Sequence, residues 1–262
     1  MKKIAPFFAL LILLAACESK ELRLQQFLLK GNGHLAAGEW AMAEYYYKQA
    51  IDLDPSFSDA LNNLGTTYFR KGRYDEAISW YDKAIAAGPR PAWYLNRANA
   101  WYENKAYFNA TADVETVLRA LPDTIPALVL RGLSLARQRE YPEAIEWFSR
   151  AIERDSLNPE HMVNRGTLYY YMRRYEPSRE DLNKALQLRP DNAEALNALA
   201  MVYSETGDQA SAYRLISKAL EVSPRHPHYL NNRGYIHLQS GKTDLADDDI
   251  TASMVIDPDN PW

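Results

Sequence analysis

The sequence predicts an all-α chain built from seven copies of one helical hairpin, and three observations carry that prediction. A small residue recurs at Gly31, Gly65, Ala98, Gly132, Gly166, Ala200 and Gly234, at intervals of 34 residues with one of 33. Twelve residues after each stands Ala43, Ala77, Ala110, Ala144, Ser178, Ala212 or Ala246, and seven further on Ala50, Ala84, Val117, Ala151, Ala185, Ala219 or Ser253. A helix-stopping proline then closes most units, at Pro55, Pro89, Pro122, Pro190, Pro224 and Pro258, with Ser156 in the remaining one. Within each unit apolar residues return every three or four positions on both sides of a polar turn such as "RKGRYD". A period of this length marks stacked repeats, each too small to bury its apolar face alone.

The elements follow in order. Lys2 and Lys3 precede an apolar stretch from Ile4 to Leu14. At 1.5 Å per residue it reaches about half of a ~30 Å hydrocarbon layer, so residues 1–16 read as a leader and not as a span. Ala15 and Ala16 supply the small residues of a cleavage site before Cys17, the sole cysteine. "LAAC" resembles the lipobox of bacterial lipoproteins, which implies cleavage before Cys17 and acylation of Cys17 as the new N-terminus. Two or three acyl chains, at about 0.8 kcal/mol per buried CH₂, make a lasting anchor. Residues 17–23 then form a tether of roughly 20 Å at most. Repeats are expected at 24–57, 58–90, 91–124, 125–158, 159–192, 193–226 and 227–260. In each, the small residue of the first helix and the alanine of the second let two backbones approach. Large residues fill the remaining space, Tyr68 and Tyr81 in the second unit, Leu135 and Phe148 in the fourth. Pro126, Pro159 and Pro227 sit at first-helix starts, where a missing N–H costs little. The sequence stops at "DPDNPW", where an eighth unit would begin, so its last stacking face is expected to meet further chain, a partner or a second copy.

The second unit, with "LNNLGTTY" continuing to Ala77, Tyr81 and Pro89, resembles the tetratricopeptide repeat register by register. Seven such units in phase identify the chain as a member of that family. The resemblance implies a right-handed α-solenoid of helix-turn-helix repeats with a concave inner surface that binds protein or peptide partners.

Two registers covary within the chain. Before the small position stand Lys30, Leu64, Arg97, Arg131, Arg165, Leu199 and Arg233; sixteen residues later stand Tyr46, Trp80, Asp113, Trp147, Asp181, Leu215 and Asp249. Leucine at the first is matched by an apolar residue at the second. Arg97, Arg165 and Arg233 are matched by Asp113, Asp181 and Asp249, which predicts semi-buried ion pairs, because a buried guanidinium needs a carboxylate. Arg131, facing Trp147, departs from the pattern and is expected either to reach Asp113 or to meet a partner.

For function there remains the inner face of the first helices. Asn63, Asn96, Asn164 and Asn232 stand two residues before the small position, with Phe69, Tyr102, Tyr170 and Tyr235 on the same helical face. An amide offers both donor and acceptor, so a ladder of Asn can bond an extended peptide backbone, while the aromatic rings offer apolar surface to its side chains. In the family, such a ladder lines grooves that bind extended peptides. The family's two-lysine clamp for C-terminal carboxylates is not matched, since no Lys precedes a ladder Asn.

Catalysis has little support. His228 and His237 lie nine residues apart on one helix, about 13 Å and half a rotation from each other, and cannot share a metal ion. His34 and His237 occupy a register held elsewhere by Tyr68 and Tyr203 and read as packing residues. No phosphate loop, nucleophile elbow or paired-carboxylate site is present, so neither enzyme nor cofactor is expected. The "DDD" run at Asp247–Asp249 reads as a solvated face with one paired member. A net charge of −4 argues against nucleic acid. The sequence thus predicts a lipid-anchored, non-catalytic adaptor of the bacterial envelope. By resemblance it is similar in plan to repeat lipoproteins that scaffold cell-wall enzymes, and to pilotins. Glu18 after the cysteine favours the outer membrane. A subunit of an outer-membrane assembly machine and a small-ligand-binding or enzymatic lipoprotein using the groove are the alternatives, and self-association through the last repeat is expected if nothing else covers it.

Overall fold

The computed structural model describes the backbone of residues 5–258 and the side chains of residues 20–258. Fourteen α-helices and no strand occur among the described residues. They fall into hairpins: α1 (Ala5–Ala36) with α2 (Trp40–Leu53), α3 (Ser58–Arg70) with α4 (Tyr74–Ala87), and α5 (Pro91–Glu103) with α6 (Tyr107–Ala120). Then come α7 (Ile125–Arg137) and α8 (Tyr141–Arg154), α9 (Pro159–Tyr171) and α10 (Tyr175–Leu188), α11 (Ala193–Glu205) and α12 (Gln209–Val222), and α13 (Pro227–Gln239) and α14 (Thr243–Ile256). The chain forms two compact units, 1–130 and 131–262, divided within α7.

The recurring small residue sets the spacing of each hairpin. A Cβ on Gly65 would come within 2.8 Å of the Tyr81 ring, and one on Gly132 within 2.9 Å of Phe148. Where the facing residue is the slimmer Val114 or Ile216, alanine fits, at Ala98 and Ala200, and all four are fully buried. The exchange is not strict, since glycine also faces Leu182 at Gly166 and Ile250 at Gly234, where an added Cβ would come within 3.0 and 2.8 Å. The elbow between the two helices needs one residue in the left-handed region. Gly38, Gly72, Gly207 and Gly241 supply it in four repeats, and Lys105, Arg139 and Arg173 supply it with φ of 61°, 66° and 57° in three others.

In both units hairpins stack in chain order. The first helices also touch one another, α1 with α3 and α3 with α5 in the first unit, α9 with α11 and α11 with α13 in the second. This close approach puts the first helices on the inside of the bend in each unit. One departure concerns the tether: α1 runs unbroken from Ala5 through residues 17–23 into the first repeat. The six residues after Cys17, in helical form, rise only about 9 Å, less than half of the extended estimate. No helix among the described residues is long and apolar enough to cross a membrane.

Candidate functional site

In the first unit the ladder residues Asn63 and Asn96 are joined into a relay. Asn96 Nδ2 donates to Asn62 Oδ1 at 2.9 Å, Asn62 Nδ2 to Asn63 Oδ1 at 2.9 Å, and Asn63 Nδ2 to Asn32 Oδ1 at 2.8 Å. The Tyr47 hydroxyl, from the second helix, also donates to Asn32 Oδ1 at 2.8 Å. Burial pushes the Tyr47 phenol up to about 12, so it stays a donor. The second unit repeats one link: Asn232 Nδ2 donates to Asn197 Oδ1 at 2.8 Å, and Asn232 is buried. Asn164 is half-buried and its side chain makes no hydrogen bond among the described residues. Asn63, Asn96 and Asn232 thus bridge neighbouring repeats and are held in one orientation, leaving fewer free donors than a fully solvated ladder would offer. Asn32, Asn62, Asn197 and Tyr47 were not singled out from sequence. The signal was there in Asn62 and Asn197, which share a register one residue ahead of the ladder position and are each followed by a ladder Asn in the next repeat.

Beside these amides lie aromatic pairs joining the end of a first helix to the start of the second. Phe69 and Tyr74 stand 5.6 Å apart, Tyr102 and Tyr107 5.5 Å, and Tyr170 and Tyr175 6.3 Å. The Tyr235 hydroxyl donates to Glu205 Oε1 at 3.0 Å, between α13 and α11.

The arginines at the covarying register face the second helices. Arg97 grips Asp113 through Nε (2.8 Å) and Nη2 (2.6 Å), Arg165 grips Asp181 at 2.7 and 2.8 Å, and Arg233 grips Asp249 at 2.7 and 2.6 Å. Sequence reasoning missed a third arm. Arg97 Nη1 reaches Asp82 at 2.6 Å, and Arg165 Nη1 reaches Ser149 Oγ at 2.9 Å, each in the preceding repeat. Hydrogen bonds to Asp113 lead in raising the Arg97 pKa, with Asp82 adding to them against the opposing effect of burial. Arg131 sets its guanidinium 5.7 Å from the centre of the Trp147 ring, a cation–π contact within its own hairpin.

The histidines divide by environment. His237 is buried, 3.8 Å from Asp249, and His34 pairs with Glu39 at 2.5 Å while stacking on Tyr46. Among the described residues no three His, Cys, Asp or Glu side chains are grouped to hold a metal ion. Cys17, with the lipid expected on it, and Trp262 lie outside the described side chains.

Tetratricopeptide-repeat family profiles match residues 28–90 and 109–159, residues 166–207 and residues 193–226. The chain is a tetratricopeptide-repeat protein. Proteins of this kind bind protein or peptide partners, and the repeat scaffold is generally non-catalytic. A tetratricopeptide repeat protein from Parabacteroides merdae has a similar structure, with TM-score 0.77 and 23% identity over 91% of this chain and 95% of that one. YrrB, a tetratricopeptide-repeat protein with an unusual peptide-binding site, gives TM-score 0.59 and 25% identity over 66% of this chain and 89% of its own. The type IV pilus assembly protein PilF of Pseudomonas aeruginosa is 28% identical over 72% of this chain and 77% of its own length. RNA polymerase II-associated protein 3 of mouse is 28% identical over 59% of this chain, which spans only 18% of that protein's length.

Proposed function

We propose that this protein is a non-catalytic adaptor of the bacterial envelope that holds partner proteins by extended segments laid along its first helices. The observation that carries this reading is the amide relay of the first unit, Asn96, Asn62, Asn63 and Asn32, held in fixed orientation across neighbouring repeats. Pre-oriented amides meet a peptide backbone without the entropy cost of ordering themselves. The peptide-binding character of YrrB supports the same use of the fold. The test is crosslinked capture from native membranes with the wild type and an Asn63→Ala, Asn96→Ala variant, at a temperature where circular dichroism shows both folded. Each lost hydrogen bond at about 0.5–1.5 kcal/mol weakens binding by roughly 2- to 13-fold. Unchanged recovery of every partner overturns the reading.

Anchoring rests on "LAAC". Mass spectrometry of the native protein should find Cys17 as an acylated N-terminus, and Cys17→Ser should remain unlipidated. An unmodified mature terminus removes the anchor, and with it the outer-membrane placement.

A narrower reading is favoured by the likeness to PilF over most of both chains. The protein is then an accessory factor for pilus or outer-membrane assembly, similar to a pilotin. Deleting it from its own host should abolish surface pili; intact piliation leaves only the general adaptor.

A further inference from the structure

The face presented by α9, α11 and α13 differs in chemistry from the amide relay of the first unit. These three helices contain only two Lys or Arg residues, Arg165 and Arg233, and both turn to carboxylates on the second helices. Glu160 is occupied by Arg189 at 2.5 Å and by Asn192. Glu205 is exposed, at the end of α11, and among the described residues its one side-chain hydrogen bond is the donation from the Tyr235 hydroxyl. Tyr235 bonds it from α13, Tyr170 on α9 lies within its electrostatic reach, and Tyr171 and Tyr175 pack against Tyr170. Tyr170 has Tyr171 at 5.6 Å and Tyr175 at 6.3 Å, and its phenol is pushed up to about 12, by burial first and then by Glu205 and the neighbouring tyrosines. Glu194, three turns earlier on α11, adds a second exposed carboxylate. His228, also on this face, is kept toward its neutral form by burial and by His226.

We infer that this face selects a Lys or Arg side chain of the bound segment and seats it on the Glu205 carboxylate among Tyr170, Tyr175 and Tyr235. The inference rests on the groove reading above and names the chemistry of its partner. A carboxylate with an unfilled oxygen accepts a charge-assisted bond from an ammonium or guanidinium, and tyrosine faces attract the same cation. With no cation of its own on these helices turned to this face, the surface lacks an internal competitor for the site.

The probe is a labelled, acetylated twelve-residue peptide of Ser, Thr, Val and Pro with Arg, Lys, Gln or Glu at its centre. Binding to the full chain is followed by fluorescence anisotropy at 0.15 M salt. Arg and Lys peptides are expected to bind about 5- to 10-fold tighter than the Gln peptide, with the Glu peptide weakest. Glu205→Gln, at an exposed position, should bring the Arg-to-Gln ratio close to one. Asn164→Ala, on the same face, should weaken all four peptides by a similar factor. If all four bind equally and Asn164→Ala weakens them all, the groove stands and the selection of a cation is wrong. If the preference survives Glu205→Gln, the cation sits elsewhere and the assignment falls. If no peptide binds, the groove reading fails and takes this inference with it.

Discussion

Arg165 shows what one side chain can decide. Its guanidinium is about one-fifth exposed, while its partner Asp181 is almost wholly buried. Removing the arginine strands a buried carboxylate, so Arg165→Leu should destabilise by about 3–5 kcal/mol. Arg165→Leu with Asp181→Leu should recover much of that, because Leu64 with Trp80 and Leu199 with Leu215 fill the same two registers elsewhere. A double-mutant cycle by urea denaturation measures the coupling, and a value near zero removes the pairing from the account of stability. This pair was legible in the sequence because covariation inside one chain does the work of an alignment. The third arm, to Ser149, was not, because it depends on how one hairpin is rotated against the next. His161 makes the opposite case. It is buried, neither ring nitrogen makes a hydrogen bond among the described residues, and Nε2 lies 3.9 Å from Asp155 Oδ2. Burial lowers its pKa, with Asp155 and Glu160 opposing; burial also leads in lowering His228 and His237. The unfolded chain therefore takes up protons first as pH falls. The stability these residues contribute is complete above about 6.5 and declines as the pH drops below it toward the folded values. His161→Phe should lose less stability than wild type between pH 7.5 and pH 5.5, measured by urea midpoints. Equal losses would clear His161 of any part in the acid response.

The helical hairpin is the element on which the fold depends, and its elbow carries a cost in three repeats. Lys105, Arg139 and Arg173 hold the left-handed conformation that glycine supplies at Gly72, Gly207 and Gly241. A side chain there costs about 1–2 kcal/mol, of which glycine's extra freedom in the unfolded chain takes back about half. Arg139→Gly and Arg173→Gly should each raise stability by about 0.5–1 kcal/mol, read as a higher melting temperature. Gly207→Arg should lower it by a similar amount. If Arg139→Gly melts lower, the arginine makes contacts that outweigh its backbone strain. Helix existence and phase were legible because the small residue, the alanines and the prolines repeat together. These elbows are not legible, since Lys and Arg have no preference for the left-handed region and only the register shared with glycine marks them. The site was legible by halves for a similar reason. Helical spacing places Asn63, Asn96, Phe69 and Tyr102 on one face, yet it cannot show that Asn62 accepts from Asn96 in the next repeat.

At the scale of the whole molecule, contacts within each unit run from one hairpin to the next along the chain, and the inter-repeat bonds of Asn63 and Asn96 reinforce neighbours only. Stability in such a chain is a sum of hairpin terms and nearest-neighbour terms, so damage stays local. Gly65 is the place to apply it. An added Cβ would meet the Tyr81 ring at 2.8 Å and the Ala77 carbonyl oxygen at 3.2 Å, and the backbone atom cannot swing aside as a side chain can. Overpacking of this kind costs about 1–3 kcal/mol. In Gly65→Ala the amides of α3 and α4 should exchange roughly 5- to 150-fold faster, since about 1.4 kcal/mol is a factor of ten in the opening equilibrium. Amides of α2 and α5, which pack on α3 and α4, should share part of that loss. Those of α9 to α14 should keep their wild-type rates, because no bond or packed side chain of theirs depends on Gly65. Hydrogen exchange followed by mass spectrometry resolves the two sets of peptides. A uniform acceleration through α14 would mean that the chain opens as one cooperative block, and the nearest-neighbour description would have to be given up. Adding Tyr81→Val tests the cause, because Ala98 opposite Val114 already uses that pairing of volumes. The double variant should exchange more slowly at α3 than Gly65→Ala alone if steric conflict, and not helix propensity, is what loosens the hairpin.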